Sequence, residues 1–170
     1  GVVEAVHVLR VGRALVRLAE QPIAVFVGVG DHLGSLLVLG TAVRVLEVGP
    51  GTGAVTREIV RHIKPGDTLD LVEINEDFAN LMRQRFKSEA IYRDVADRAT
   101  VHVCPLQDFD PDGRYDVIIS EPSNPWIAGV AALFTKEFFE GAKAHLAPGG
   151  LICQWAHTYD MSDEDLRSIV

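Results

Sequence analysis

The feature of this sequence that most constrains its fold is a valine-rich run followed at once by a glycine turn and a helical pattern. The run is Val43–Val48, the turn reads Gly49-Pro50-Gly51-Thr52-Gly53, and the helix is predicted over Ala54–Ile63. A short run rich in β-branched residues and bounded by turn residues is typical of a buried strand. Glycine lets the backbone turn tightly and lets a ligand approach main-chain amides. The segment therefore predicts a strand, a ligand-accessible turn and a helix, in that order.

The same alternation of strands and helices continues along the chain. Strands are predicted over Thr68–Ile74, Ala99–Cys104, Asp116–Ser120 and Leu151–Trp155, helices over Glu76–Lys87, Phe134–His145 and Asp163–Val170, and a turn at Pro148-Gly149-Gly150. The helix over Glu76–Lys87 is expected to bury Phe78, Leu81, Met82 and Phe86. Such alternation predicts an α/β fold with a doubly wound, mostly parallel, Rossmann-like sheet.

Residues 1–42 are expected to form an N-terminal helix and an apolar segment of unclear role, ahead of one domain over 43–170. Helical spacing over residues 3–20 places Arg10, Arg13 and Arg17 on one face. This pattern indicates an ordinary solvated face, and contact with anionic lipid or an acidic partner is the alternative. The apolar segments Ile23–Val29 and Leu36–Leu39 are too interrupted to predict a membrane span, and they are candidates for additional strands.

Composition excludes several classes of protein and partner. The 170 residues are 48% hydrophobic and 24% charged, which excludes a disordered chain and a collagen-like repeat. The net charge of −8 disfavours a nucleic-acid partner. Cys104 and Cys153 are expected on strands about four positions apart, roughly 19 Å, which is too far for a disulfide. No metal site is predicted, and the two widely spaced cysteines lead us to expect a reducing, cytoplasmic location.

Three predicted strand ends carry residues suited to one nucleotide-like ligand. Ligands of open α/β sheets bind at the carboxyl ends of the strands, near the point where strand order reverses. There the sequence places Glu47 with Gly49, Gly51 and Gly53, then Glu73, then Gln107-Asp108. Glu73 is suited to accept hydrogen bonds from two ribose hydroxyls, and Asp108 from an adenine amine. The alternatives are that Glu73 caps the following helix and that Asp108 stabilises a turn.

Two stretches in the first part of the domain resemble the class I S-adenosylmethionine-dependent methyltransferases. The stretch Val45-Leu46-Glu47-Val48-Gly49-Pro50-Gly51-Thr52-Gly53 resembles their first motif, and Leu71-Val72-Glu73 resembles their second-strand motif. The region from Glu47 to about Asp116 is most similar to phospholipid N-methyltransferases. The resemblance implies that S-adenosylmethionine binds here and that Glu47 orients its ammonium. Because the superfamily's sheet has seven strands, it also implies a sheet truncated after the fifth core strand.

The second part resembles spermidine-synthase-like proteins, which often transfer an aminopropyl group from decarboxylated S-adenosylmethionine. The resemblance is carried by Tyr115-Asp116-Val117-Ile118-Ile119-Ser120-Glu121-Pro122-Ser123-Asn124-Pro125-Trp126, Leu133-Phe134-Thr135 and Gln154-Trp155. Two aspartates usually flank the loop after the fourth strand of these proteins, and Glu121 and Asn124 stand there instead. Glu121 is the candidate base or amine-orienting group, and Asn124 is a neutral acceptor beside it.

The predicted function is a transferase that uses S-adenosylmethionine, with methyl transfer to a small or lipid-like acceptor ranked first. The loop offers one carboxylate where two are usual, so aminopropyl transfer is ranked second, and a non-catalytic cofactor-binding module is a further alternative. The glycine spacing also satisfies the dinucleotide fingerprint, which keeps NAD as a rival. A second copy of the chain is a candidate partner.

Overall fold

The computed structural model describes residues 23–26, 42–122 and 129–155. Within these ranges the strands are β1 (Ile23–Phe26), β2 (Arg44–Val48), β3 (Thr68–Glu73), β4 (Ala99–Val103), β5 (Tyr115–Ser120) and β6 (Leu146–Trp155). The α-helices there are α1 (Ala54–His62), α2 (Glu76–Ser88) and α3 (Lys136–Ala144). Short 3-10 helices cover Ala90–Tyr92, Leu106–Asp108 and Val130–Phe134.

The described strands form one parallel sheet in the order β1-β6-β5-β2-β3-β4. From β2 the chain moves outward through β3 to β4, and then returns to the other side of β2 with β5. This reversal of strand order creates a crevice at the carboxyl ends of β2 and β5, where ligands of such sheets bind. The predicted doubly wound, Rossmann-like fold is confirmed.

The strand β1 forms one edge of the sheet, a position that the sequence assigned to no single segment. It pairs in parallel with β6, with Ile23 opposite Ile152 and Phe26 opposite Trp155. Part of the apolar segment Ile23–Val29 therefore supplies an additional strand. The segment Leu36–Leu39, the helix predicted over 3–20 with Arg10, Arg13 and Arg17, and the helix predicted over 163–170 lie outside the described residues.

Two apolar clusters cover the two faces of the sheet. One face packs against α1 and α2 through Val45, Ile59, Leu71, Met82 and Ile119, and the other packs against α3 through Leu46, Val72, Ile118, Phe138 and Ile152. Phe78 was predicted to be buried, but its side chain is 38% exposed. The buried stripe of α2 follows Ala79, Met82 and Phe86, and Phe78 stands one position off that stripe.

The predicted boundaries at α3 and β6 differ from the observed ones for local reasons. The helix begins at Lys136 because the Thr135 hydroxyl accepts a hydrogen bond from the Phe138 N–H at 3.2 Å. The strand β6 already begins at Leu146, opposite Tyr115, and the predicted turn at Pro148-Gly149-Gly150 becomes a bulge within it. Regular pairing resumes with Leu151 opposite Val117.

Candidate functional site

Three glutamates lie at the carboxyl ends of adjacent strands, in the crevice beside the reversal point. In the sheet register Glu47 of β2 stands between Leu71 of β3 and Ile119 of β5. Glu73 and Glu121 follow these two neighbours by two residues, so alternation of side chains places all three glutamates on the same face of the sheet. The helix α1 packs on this face. The glycine turn begins directly after β2 and completes the site.

The glycine turn leaves open space where a ligand can approach the backbone. Gly49 and Gly51 have φ values of +71° and +52°, and a Cβ at either position would meet nothing within 4 Å. Gly53 has a φ of +80°, and a Cβ there would lie 2.5 Å from the sulfur of Met82. The first two glycines therefore keep the turn accessible, whereas Gly53 lets α1 begin tightly against α2.

Glu73 fixes the glycine turn to the end of β3. Its side chain is buried, with 5% exposure, and its Oε2 accepts a hydrogen bond from the Gly51 N–H at 3.0 Å. Its Oε1 accepts from the Asn75 N–H at 2.9 Å. The capping role is taken by Asn75, whose Oδ1 accepts from the N–H groups of Asp77 and Phe78. Because each carboxylate oxygen can accept more than one hydrogen bond, Glu73 retains capacity for ribose hydroxyls.

Glu47 is a buried carboxyl with one free acceptor. Its side chain is 2% exposed, and its Oε2 has no hydrogen-bond partner among the described residues. The pKa of Glu47 is raised to about 8, mainly by burial; hydrogen bonds from Thr56 oppose this shift, and the nearby Glu121 and Glu73 add to it. A carboxyl kept in this state favours a ligand that brings positive charge or hydrogen-bond donors.

Glu121 follows β5 and is partly buried, which raises its pKa. Its charge helps to raise the pKa of Glu47. The same charge, together with burial, raises the pKa of the Cys153 thiol on β6. Both Cys153 and Cys104, which lie four strand positions apart, are free thiols. Asn124, which was predicted beside Glu121, lies outside the described residues, as do Trp126 and His157.

Two buried polar residues near the carboxyl ends of β5 and β6 were not predicted from the sequence. Ser120 and Gln154 pair across these strands, and alternation of side chains places both on the α3 face, opposite to the three glutamates. The Ser120 Oγ and the Gln154 Oε1 have no hydrogen-bond partner within the described part of the chain. A signal was present, because Gln154 interrupts the otherwise apolar run of β6.

Asp108 lies on the surface beyond the end of β4. It is the last residue of the 3-10 helix Leu106–Asp108, and its side chain is exposed. Burial and the charge of Asp108 together raise the pKa of the Cys104 thiol. The neighbouring Ile74 and Val103 are apolar and exposed, at 71% and 41%. The structure thus places an exposed carboxylate and apolar side chains on the adenine side predicted for the ligand.

A comparison with protein families matches residues 32–170 to the spermine/spermidine synthase domain. The chain belongs to this family. Spermine synthase of Arabidopsis thaliana is 32% identical over 157 residues, covering 88% of this chain and 43% of that protein. Polyamine aminopropyltransferase of Enterobacter sp. (strain 638) is 36% identical over 136 residues, covering 78% and 46%. The chain thus spans about half the length of the relatives that it matches.

Solved structures with a similar backbone are S-adenosylmethionine-dependent methyltransferases. An O-methyltransferase of Thermotoga maritima gives a TM-score of 0.59 at 18% identity, covering 79% of this chain and 46% of that one. A methyltransferase of Thiobacillus denitrificans in complex with S-adenosyl-L-homocysteine gives 0.52 at 25% identity, covering 71% and 44%. Both resemblances seen in the sequence, to the class I superfamily and to the spermidine-synthase-like proteins, are confirmed.

These findings change the ranking of the predicted functions. The chain is a member of a transferase family, and the names of its sequence relatives favour the aminopropyl alternative over the methyl transfer that the sequence ranked first. Methyltransferases enter only as structural neighbours. Separately, within the described residues no helix is long and apolar enough to cross a membrane.

Proposed function

We propose that this chain carries the nucleotide-binding half of an aminopropyltransferase, which moves an aminopropyl group from decarboxylated S-adenosylmethionine to an amine. Its family and its relatives named as spermidine synthase, spermine synthase and polyamine aminopropyltransferase support this class of reaction. The acceptor is then a diamine or polyamine, replacing the small or lipid-like acceptor expected from the first-part resemblance.

One observation carries the proposal: a buried carboxyl of the crevice has an acceptor oxygen with no donor among the described residues. The atom is Glu47 Oε2, and the charges of Glu121 and Glu73 both act on this carboxyl. A buried polar group without a partner costs about 1–3 kcal/mol. A ligand rich in ammonium groups removes that cost, because an ammonium has three donors and a positive charge. A carboxylate-bearing tail brings negative charge to the same carboxyls.

The residues present fit a sulfonium nucleoside. The open turn at Gly49 and Gly51 leaves room for the ligand beside main-chain amides, and Glu73 has acceptor capacity for the ribose hydroxyls. Asp108, with exposed apolar neighbours, suits an adenine. The cofactor supplies an alkyl group that is already activated by its positively charged sulfur.

Glu121 is the residue we assign to the acceptor amine. An amine attacks only in its neutral form, so one of its protons must be removed as it is brought to the transferred carbon. A carboxyl whose pKa is raised by burial is better suited to this proton transfer near neutral pH than an exposed one. Glu121 accepts that proton, and Glu47 attracts the cationic part of the ligand.

Methyl transfer is the second candidate, and one observation favours it. The loop after β5 carries Glu121 but has Asn124 where the related synthases usually have a second acidic residue. A neutral amide holds a cationic diamine less strongly than a carboxylate does. The two reactions differ in the ligand tail, since methyl transfer uses a cofactor that retains its carboxylate.

A calorimetric titration separates the cofactors. Decarboxylated S-adenosylmethionine, S-adenosylmethionine and NAD are titrated into the protein, and we expect the decarboxylated form to bind at least tenfold more tightly than the other two. Incubation with that cofactor and putrescine, followed by mass spectrometry, should then detect spermidine. Tighter binding of S-adenosylmethionine together with no spermidine would favour methyl transfer.

A pair of matched variants shows whether any product arises at this site. Glu121→Gln removes the proposed proton acceptor at nearly constant size, whereas Glu137→Gln changes an exposed glutamate on α3. Product formation should fall with the first variant and persist with the second. Equal loss in both, or loss in neither, would contradict the assignment of Glu121.

A further inference from the structure

Glu47 and Glu121 are diagonal neighbours on one face of two adjacent strands. The strands β2 and β5 pair with Glu47 opposite Ile119, and Glu121 lies two residues farther along on the same face. Glu47 is 2% exposed and keeps its Oε2 unpartnered within the described ranges, and Glu121 is partly buried. The charge of Glu121 is one of the causes that raise the pKa of Glu47, after burial.

The surroundings of the pair do not neutralise it. The groups that act on the Glu47 carboxyl in the described part of the chain are Thr56 of α1, Glu121 after β5 and Glu73 of β3, and none of them is a cation. On β6, Cys153 faces Glu121, and its thiol stays neutral because burial and Glu121 both raise its pKa. The three carboxyls therefore lie on one face of the sheet, and no cation acts on Glu47 in the described part of the chain.

Two desolvated carboxyls at short range cannot both ionise without a large electrostatic cost. Each negative charge loses hydration and repels the other, so one of the two retains a proton at a pH where an exposed glutamate would be ionised. Such groups titrate as a pair rather than as two independent residues. A cation placed between them reverses this preference, because it stabilises both negative charges.

We propose that Glu47 and Glu121 share one proton in the unliganded protein, and that a cationic ligand displaces this proton when it binds. The O–H bond of the protonated carboxyl breaks, its electron pair stays on the oxygen, and the proton leaves to the solvent. The freed oxygen then accepts a hydrogen bond from the ligand's ammonium. The identity of the ligand rests on the proposed function, but the shared proton does not.

The shared proton gives the site a means of selecting ligands by charge. An amine tail displaces the proton and binds two carboxylates. A tail that also carries a carboxylate brings its own negative charge and leaves the proton in place. Glu47 is thereby a specificity-determining residue, and its replacement should narrow the difference in affinity between the decarboxylated and the carboxylated cofactor.

The first test needs no ligand. The full chain is labelled with ¹³C at the glutamate carboxyl, and its carboxyl signals are followed by NMR as a function of pH. We expect Glu121→Gln to lower the titration midpoint of Glu47, while Glu137→Gln leaves it unchanged. A midpoint that does not respond to removal of the other carboxyl would overturn the shared proton.

The second test counts protons on binding. Decarboxylated S-adenosylmethionine is titrated at pH 7 in phosphate and in Tris, whose ionisation enthalpies differ, and the difference in observed heat gives the number of protons released. We expect roughly one proton for the native chain and none for Glu47→Gln. Binding without proton release would overturn the inference and leave the proposed function standing. Failure of any sulfonium nucleoside to bind would overturn the proposed function, and the NMR titration would still decide the shared proton.

Discussion

The two ends of the parallel sheet treat buried carboxylates in opposite ways. At the amino ends, Asp67 accepts hydrogen bonds from the N–H groups of Val43 and Lys64, both at 2.8 Å. At the carboxyl ends, Glu47 has an unpartnered oxygen, and burial raises its pKa to about 8. A paired acid holds chain segments together, whereas an unpaired one lowers stability and remains available to a ligand. The difference separates a structural end of the sheet from a functional one.

A second network, around Asp70 in the middle of β3, also shows how completely an acid can be paired. Asp70 accepts a hydrogen bond from the Tyr115 hydroxyl at 2.7 Å, contacts His102 Nε2 at 2.9 Å, and lies 3.6 Å from the Arg44 guanidinium. The same guanidinium lies over the Tyr115 ring, 4.8 Å from its centroid. These contacts join β2, β3, β4 and β5, so this network serves the fold.

The largest effect is expected at the functional end, on turnover. Replacing Glu121 by Gln should lower kcat by about 10²–10⁴-fold, the usual contribution of a positioned acid or base. The pKa of Glu121 is raised by burial, so the native activity should increase as pH rises and that group loses its proton. Steady-state kinetics across pH measure both the loss of kcat in the variant and the rise of native activity. As a control for folding, the variant should unfold at a temperature close to that of the native chain.

At the structural end, the expected effect is on stability and not on binding. Replacing Asp67 by Ala removes two hydrogen bonds to a charged acceptor and should lower the free energy of unfolding by about 3 kcal/mol. Denaturant unfolding measures this change. The cofactor affinity of the variant, measured under native conditions, should stay within about threefold of that of the native chain. A larger loss of affinity would show that the structural and functional ends of the sheet are coupled.

Glu73 belongs to the functional end but is paired like the acids of the structural end. Replacing it by Ala removes the hydrogen bonds to Gly51 and Asn75 as well as those offered to the ribose, and hydrogen bonds to charged groups contribute about 1.5–3 kcal/mol each. We expect cofactor affinity to fall at least tenfold, measured by calorimetry. Glu76→Gln, an exposed change on the next helix, is the control.

The smallest effect is expected from Glu47→Gln below about pH 4.5, because glutamine resembles the carboxyl that is protonated there in both states. The pKa of Glu47 rises from 4.5 in the unfolded chain to about 8 in the fold. Its contribution to stability is therefore fully present below about pH 4.5 and is lost as pH rises through about 8. Below about pH 4.5 the two proteins should therefore differ by less than about 1 kcal/mol, and at pH 6 the variant should be the more stable one.

Urea unfolding at several pH values checks this prediction. Native stability should fall between about pH 4.5 and pH 8, and the decline should be smaller in Glu47→Gln. A decline of equal size in both proteins would show that Glu47 is not the group responsible.

The sequence predicts the parts of the site that depend on neighbours along the chain. The strand, the glycine turn and the acid at the end of β3 follow from local patterns, and the fold they predicted is the one observed. The cluster of Ser120 with Gln154 was missed because β5 and β6 are separated by a helix and meet only in the sheet. Phe78 was misplaced for a similar reason, since packing against the sheet selects the buried stripe of α2. The roles of Glu47, Asp108, Glu121 and Asn124 remain predictions.

The pairing of β1 with β6 has a consequence for how the chain folds. Ile23 lies opposite Ile152, so this contact joins positions roughly 130 residues apart, and such non-local contacts form slowly. During synthesis at about 5–20 residues per second, β1 emerges early and waits roughly 6–26 seconds for its partner strand. The core pairs β2–β3 and β2–β5 can form in that interval. The pairing of β6 with β1 is therefore late, and until it forms the outer edge of β6 is open to pairing with another chain.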